Sequence, residues 1–281
     1  MSPGGALLLA VLLLLAPWAL KPGPATREIH GYVRILWWLN ALYCVLWHRL
    51  DIDRDDPLPA AGPVLLISNH TCCIDHMLLQ AVTRRLVGYM IARELYEIWI
   101  FKPWCATAGC IPVNRDGRDL AATRGAVRSL ERGKVLAIFP EGKIRPTSGR
   151  ELGEGKPGVA YIAARAGVPV IPAYICGTPE TNQIVRSYFT PSRARVFFGP
   201  PVDLSGLKAS GPDAKADLDE VTTRLMGAIR ALRDRVQGVD SQPDASGSTW
   251  QDVAREGSGD DRRPAVGAGA IPGALAARHG A

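Results

Sequence analysis

The residues best placed to do chemistry are His70 and Asp75, which bracket the stretch His70-Thr-Cys-Cys-Ile-Asp75. The stretch follows the apolar run Val64-Leu-Leu-Ile-Ser68 and precedes a helical pattern, so the histidine stands where a buried strand gives way to a helix. In α/β sheets, sites are built at that end of a strand. A histidine there presents its imidazole to a cleft. A carboxylate about one helical turn on curls back to accept the proton of the other ring nitrogen, which fixes the tautomer and supports the imidazolium. This is the base-and-orienter pair of a hydrolase triad without its serine. The nucleophile must then come from the substrate, and a substrate hydroxyl attacking an acyl thioester is acyl transfer. The spacing fits a plain helix N-cap equally well, in which Asp75 stabilises the helix dipole and has no catalytic duty.

Three downstream segments add charges and turns. Gly109-Cys-Ile-Pro-Val-Asn-Arg115 sets a strand-like stretch directly before an arginine, and a guanidinium at a strand end suits bidentate contact with phosphate. Phe139-Pro-Glu-Gly142 follows a buried strand and is trailed by Lys143 and Arg145, so one tight turn delivers a carboxylate (Glu141) and two cations to the same region. Val168-Pro-Val-Ile-Pro172 opens the next strand. Taken singly, each has an ordinary structural reading: a solvated arginine, a strand-to-helix turn, a strand entered through proline. Cys72 and Cys73 lie beside His70, but a small buried hydrophobe is the commoner role of a free cysteine. The six cysteines match no zinc or thioredoxin spacing, and a reducing compartment is the simplest inference.

These residues need elements to hold them. Short apolar runs bounded by Gly and Pro read as buried strands at 64–68, 87–92, 134–139, 169–175 and 195–198. Helical patterns lie between them over 74–86, 119–133 and 156–167, the last two ending at Gly133 and Gly167. A final helix over about 213–236 sets Leu218, Val221, Leu225, Ile229 and Leu232 on one face. Strands alternating with helices predict an α/β fold with a single mixed-sheet domain over 53–237. Residues 238–281, rich in Gly, Ser, Asp, Arg and Pro, read as a disordered tail.

Ahead of the domain, residues 6–20 carry no charge, and fifteen helical residues reach only ~22 Å against a ~30 Å hydrocarbon core. A second apolar stretch runs from Tyr32 to Trp47 with Trp37, Trp38, Tyr43 and Trp47 of the interfacial kind. Together they predict a membrane-embedded two-helix segment over 1–52; the alternative for the second stretch is a core helix. Lys21, Arg27, Arg34 and Arg49 place the body of the protein, and its site, on the cytoplasmic face of the cell membrane. The charge of +6 and pI near 9.1 suit nucleic acid, an anionic membrane or a phosphorylated substrate. The basic residues are dispersed, with no run of five, which argues against nucleic acid and for membrane and phosphate.

In this order the motifs resemble the lysophosphatidic acid acyltransferase family of the glycerol-phosphate acyltransferase superfamily, over about residues 60–205. They are Ser68-Asn-His70 with Asp75, Arg93-Glu94-Leu95, Gly109 to Arg115, Phe139 to Gly142, Lys156-Pro-Gly158 and Val168 to Pro172. The resemblance implies that His70 and Asp75 form the catalytic dyad and that Arg115, Glu141 and Gly142, in the region shared by Lys143 and Arg145, help hold a glycerol phosphate. It also implies that the Val168–Pro172 strand supports the acyl-donor side. The co-substrate is then acyl-CoA or acyl carrier protein, the acceptor a lysophospholipid in a membrane, and neither metal nor cofactor is required. Lys143-Ile-Arg145-Pro146 departs from the family's usual Thr-Arg-Ser, and a lysine directly after Gly142 is closer to the tafazzin branch, which moves acyl chains between phospholipids. The acceptor stays open on that account. Backbone amides after His70 or near Gly142 are the candidate oxyanion donors. Two other readings remain: a thioester or phospholipid hydrolase, which lacks a G-x-S-x-G elbow here, and a non-catalytic membrane-surface protein.

Overall fold

β1 (Val64–Ser68) is buried on both faces, and it lies at the centre of the sheet because its neighbours β4 (Val135–Ile138) and β5 (Val170–Cys176) are apolar runs of the same kind. The computed structural model describes residues 29, 31–51, 58–99, 101–114, 119–211 and 213–240. With β2 (Val87–Ala92), β3 (Ile111–Val113) and β6 (Arg195–Phe198) the sheet has six strands in the order β3-β2-β4-β1-β5-β6. All pairs are parallel except β5 with β6, so the sheet is mixed, as expected.

Alternate residues of each strand feed two hydrophobic clusters. Leu66, Val87, Ala137 and Ile171 face one way, toward α1 (Gly31–Trp47), α2 (Asp75–Val82) and α4 (Lys102–Ala108). Leu65, Ile67, Leu136 and Val170 face the other way, toward α5 (Leu120–Glu131), α6 (Pro157–Ala166) and α8 (Ala214–Asp240). The result is a three-layer α/β/α arrangement. α8 buries Val221, Leu225, Ile229 and Leu232 as the periodicity predicts, and it runs on to Asp240, past the expected start of the tail; 241–281 lie outside the described residues. Three short helices had no reading in the sequence: α3 (Arg93–Tyr96), α4 and α7 (Ile184–Phe189). β2 passes so close to the end of α4 that a Cβ on Gly88 would sit 2.8 Å from the carbonyl oxygen of Gly109.

The second apolar stretch is corrected by the structure. It forms the 17-residue α1, but Val33, Trp37, Ala41 and Cys44, one turn apart, are buried against the domain. Trp37 is no interfacial aromatic, since its indole N–H reaches the carbonyls of Gln80 at 3.0 Å and Thr83 at 3.1 Å. Among the described residues no helix is long and apolar enough to cross a membrane. The outer face of α1 nevertheless exposes Ile35, Leu36, Leu39 and Leu46. The first apolar segment, 6–20, lies outside the described residues.

Two histidines knit this layer. Tyr43 donates its hydroxyl to the carbonyl of Tyr188 at 2.7 Å, so its oxygen must accept from Nε2 of buried His48 at 2.9 Å, and Nδ1 of His48 then accepts from Ser192 at 2.8 Å. His48 is thereby held neutral, and burial lowers its pKa. His76, edge-on to Tyr89, is pushed by burial down to about 4. Both groups are depressed relative to the unfolded chain, so the unfolded state binds more protons below the ordinary histidine pKa, and stability is complete above ~6.5 and falls as pH drops toward about 4. For His76 alone the loss at pH 5 is about 2 kcal/mol, or roughly 4–8 °C in Tm. Thermal melts at pH 7 and pH 5 should show it, and the gap should narrow in a His76→Gln variant.

Candidate active site

β1, β4 and β5 are adjacent and parallel, so their C-terminal ends open on one edge, and the residues that follow them meet there. His70 follows β1, Glu141 follows β4 and Thr178 follows β5. Asn69 bolts β1 to β5: its side-chain oxygen accepts from the amide of Ile175 at 2.7 Å and its NH₂ donates to the Ile175 carbonyl at 2.9 Å. The chain is thus rigid at the residue before His70.

Nδ1 of His70 lies 2.7 Å from Oδ2 of Asp75. An ionised carboxylate only accepts, so Nδ1 carries the proton and Nε2 presents its lone pair. The ring stacks on Phe139, centroids 4.2 Å apart and planes at 11°, and its side chain is 16% exposed. Asp75 is fully buried and caged: Oδ2 also accepts from the amides of Thr71 and Cys72, and Oδ1 accepts from the hydroxyl of Thr71. That hydroxyl in turn accepts from Thr178 at 2.8 Å. Four nitrogen and oxygen donors, with the Cys72 thiol 3.9 Å from Oδ1, fix the orientation of this buried carboxylate. Asp75 is the first residue of α2 and Ile74 its N-cap, so Asp75 is not the cap itself but adds its charge to the first turn beside the histidine contact.

Glu141 is buried beside this pair. Its Oε1 accepts from the backbone N–H of His70 at 3.0 Å, and its Oε2 from the N–H of Gly153 at 2.9 Å and from Nη2 of Arg145 at 2.8 Å. Both oxygens are therefore engaged inside the protein, and Glu141 with Arg145 braces the loop under His70 instead of facing outward. Gly142 holds φ +72°, the left-handed region, and a Cβ on it would run into the Lys156 side chain at 2.8 Å. Lys143 is exposed. Arg115 lies outside the described residues; the neighbouring Asn114, at the end of β3, accepts from Nε of Arg93 at 2.6 Å on the same edge of the sheet.

Part of the expected set of oxyanion donors is committed elsewhere. The amides of His70, Thr71 and Cys72 are spent on Glu141 and Asp75, and that of Gly142 on the Phe139 carbonyl at 2.9 Å, because holding the two carboxylates uses the same N–H groups. Thiol chemistry at Cys72 is also disfavoured: burial, and then the Asp75 charge, push its pKa up to about 12. The sequence reading missed Asn69, Thr71, Gly153 and Thr178. The first two flank His70 and are polar residues at the end of a buried strand, which is a usable signal. Thr178 and Gly153 are distant in sequence and carry none.

This edge of an α/β sheet carries a carboxylate-oriented imidazole, a general-base pair of the kind that acyl transfer to a hydroxyl can use. Residues 49–176, a little under half of the chain, match the acyltransferase family. The chain's relatives include the chloroplast 1-acyl-sn-glycerol-3-phosphate acyltransferase of Arabidopsis thaliana, 28% identical over 61% of this chain and 48% of the relative. They also include the 1-acyl-sn-glycerol-3-phosphate acyltransferase of Streptococcus pneumoniae, 23% identical over 73% and 74%. The chain spans about half the length of the plant relatives it matches, 48% and 50%. In fold it is similar to the crystal structure of the 1-acyl-sn-glycerophosphate acyltransferase PlsC from Thermotoga maritima, with TM-score 0.57 and 20% identity over 80% of this chain and 89% of that one.

Proposed function

We propose that the protein transfers a fatty acyl group from a thioester, acyl-CoA or acyl carrier protein, to the free hydroxyl of 1-acyl-glycerol-3-phosphate, forming phosphatidic acid. The observation that carries this reading is the His70–Asp75 contact at 2.7 Å with Nε2 left as the basic nitrogen. Nε2 takes the hydroxyl proton as the oxygen forms its bond to the thioester carbonyl carbon. The C–S bond then breaks, and the imidazolium returns the proton to the departing sulfur. Asp75 holds the ring and offsets its transient charge. No metal enters these steps. Lys143 and Arg115 are the cations we assign to the acceptor's phosphate, whereas Glu141, Gly142 and Arg145 set the loop that positions His70. The exposed apolar face of α1 supports catalysis at a membrane surface.

The test is product identification. Purified protein with labelled acyl-CoA or acyl carrier protein and a panel of lysolipids should give phosphatidic acid from lysophosphatidic acid. Labelled free fatty acid as the main product would make it a hydrolase, and acyl transfer only from intact phospholipids would favour the tafazzin-like reading that Lys143 raises.

The loop brace supplies a sharper check. A methyl on Gly153 would lie 2.5 Å from Oε2 of Glu141 and 2.6 Å from Nη2 of Arg145. Gly153→Ala should therefore push Glu141 off the His70 amide, costing about 1–3 kcal/mol in a thermal melt and slowing transfer by at least ~10-fold. Unchanged kcat with lowered Tm would leave the brace with a purely structural role.

A further inference from the structure

The short helix α7 is inside out. Of its six residues, Ile184, Val185 and Phe189 are 49%, 69% and 73% exposed, while Ser187 is fully buried with its hydroxyl donating to the Gln183 carbonyl at 2.9 Å. A hydrophobic side chain in the place of Ser187 and polar ones outside would be the ordinary arrangement for a surface helix. Twelve of the fourteen large apolar side chains that are well exposed among the described residues belong to α1, to residues 98, 99 and 101, and to α7. α1, α4 and α7 pack on the same side of the sheet: Tyr32 of α1 meets Thr107 of α4 at 2.6 Å, and Tyr43 of α1 meets Tyr188 of α7 at 2.7 Å.

We propose that α7 and its flanks form a lipid-bilayer contact separate from α1, in which Ile184, Val185 and Phe189 enter the interface and Arg186 and Arg193 meet anionic headgroups. Charge selects this occupant. Residues 181–202 carry Arg186, Arg193 and Arg195 and no acid, and the acids that bound them are engaged, Glu180 by Arg150 and Asp203 by the Ser205 amide, so cationic groups predominate beside the apolar face. A second copy of the chain is a poor fit, because like charges would face each other and three side chains fall far short of the ~1,200–2,000 Å² that a stable interface buries. α7 also follows β5, whose C-terminal end lies beside that of β1, so the contact would sit on the edge that carries His70. The proposal deepens the reading of a membrane-lipid acyltransferase and rests on it for its purpose, but its test does not need acyl transfer.

The whole chain is mixed with phosphatidylcholine vesicles with or without about one third phosphatidylglycerol, and the bound fraction is read by flotation. The double substitution Val185→Ser with Phe189→Ser should weaken binding to both compositions by about tenfold or more. Arg186→Gln with Arg193→Gln, which touches only exposed side chains, should abolish the preference for anionic vesicles and leave binding to neutral ones unchanged. Transfer to a short-chain, water-soluble acceptor should be unaltered in both, which separates loss of lipid contact from loss of the site. Wild-type vesicle binding in both double variants overturns the proposal. So does a wild-type dimer in solution that the apolar pair of substitutions converts to monomer, because the face then belongs to a second copy.

Discussion

His70→Ala is expected to lower the rate of acyl transfer by ~10²- to 10⁴-fold, the usual worth of a general base, while leaving the melting curve close to that of the parent. The fold should survive because Asp75 keeps its bonds from the Thr71 and Cys72 amides and the Thr71 hydroxyl, and the ring itself is partly exposed and stacked on Phe139. The stability cost should stay within about 1–2 kcal/mol. Initial rates with acyl-CoA and lysophosphatidic acid, beside circular dichroism of the same samples, measure both halves. A variant keeping more than about a tenth of the parent rate would remove His70 from the mechanism.

Asp75→Asn should be nearly as damaging, by ~10²- to 10⁴-fold, although it changes one atom. The carboxylate accepts at both oxygens from four donors, and an amide offers a single accepting oxygen. If that oxygen takes the Oδ2 place, the NH₂ group faces the Thr71 hydroxyl, which must stop donating and whose oxygen already accepts from Thr178. If the amide flips, the NH₂ confronts Nδ1 of His70 and two backbone N–H groups, and the imidazole takes the wrong tautomer. In either orientation the negative charge that offsets the imidazolium is gone. The loss should appear in kcat more than in KM, since Asp75 is buried away from the acceptor and acts on the ring. A KM effect with kcat intact would mean that the pair positions substrate and does not move a proton.

The sequence reading reached the five longer strands, the major helices and the His70–Asp75 pair because each is written in local terms: apolar runs, glycine stops, and one helical turn between base and carboxylate. It failed in two instructive places. α1 looks like a membrane segment because the run from Tyr32 to Trp47 is mostly apolar, yet which of its residues face protein depends on contacts with α2 and the 188–194 chain, far along the sequence. Glu141 looks like a ligand-facing group because it follows a strand and precedes cations. Its oxygens are instead taken by His70 and Gly153, 71 and 12 residues away. α4 and α7 were missed since each has fewer than eight residues, too short for a period to show.

The sequence by itself determined that this chain forms an α/β sheet with a histidine and an aspartate at a strand end, since periodicity, turn residues and short-range spacing are properties of neighbours along the chain. Only the tertiary structure decided what surrounds them. Parallel pairing of β4 and β5 on either side of β1 brings Glu141 to the backbone N–H of His70 and Thr178 to the hydroxyl of Thr71. Those contacts join residues more than 70 positions apart, and no local preference encodes them; they follow from strand order, which is fixed when the whole core packs.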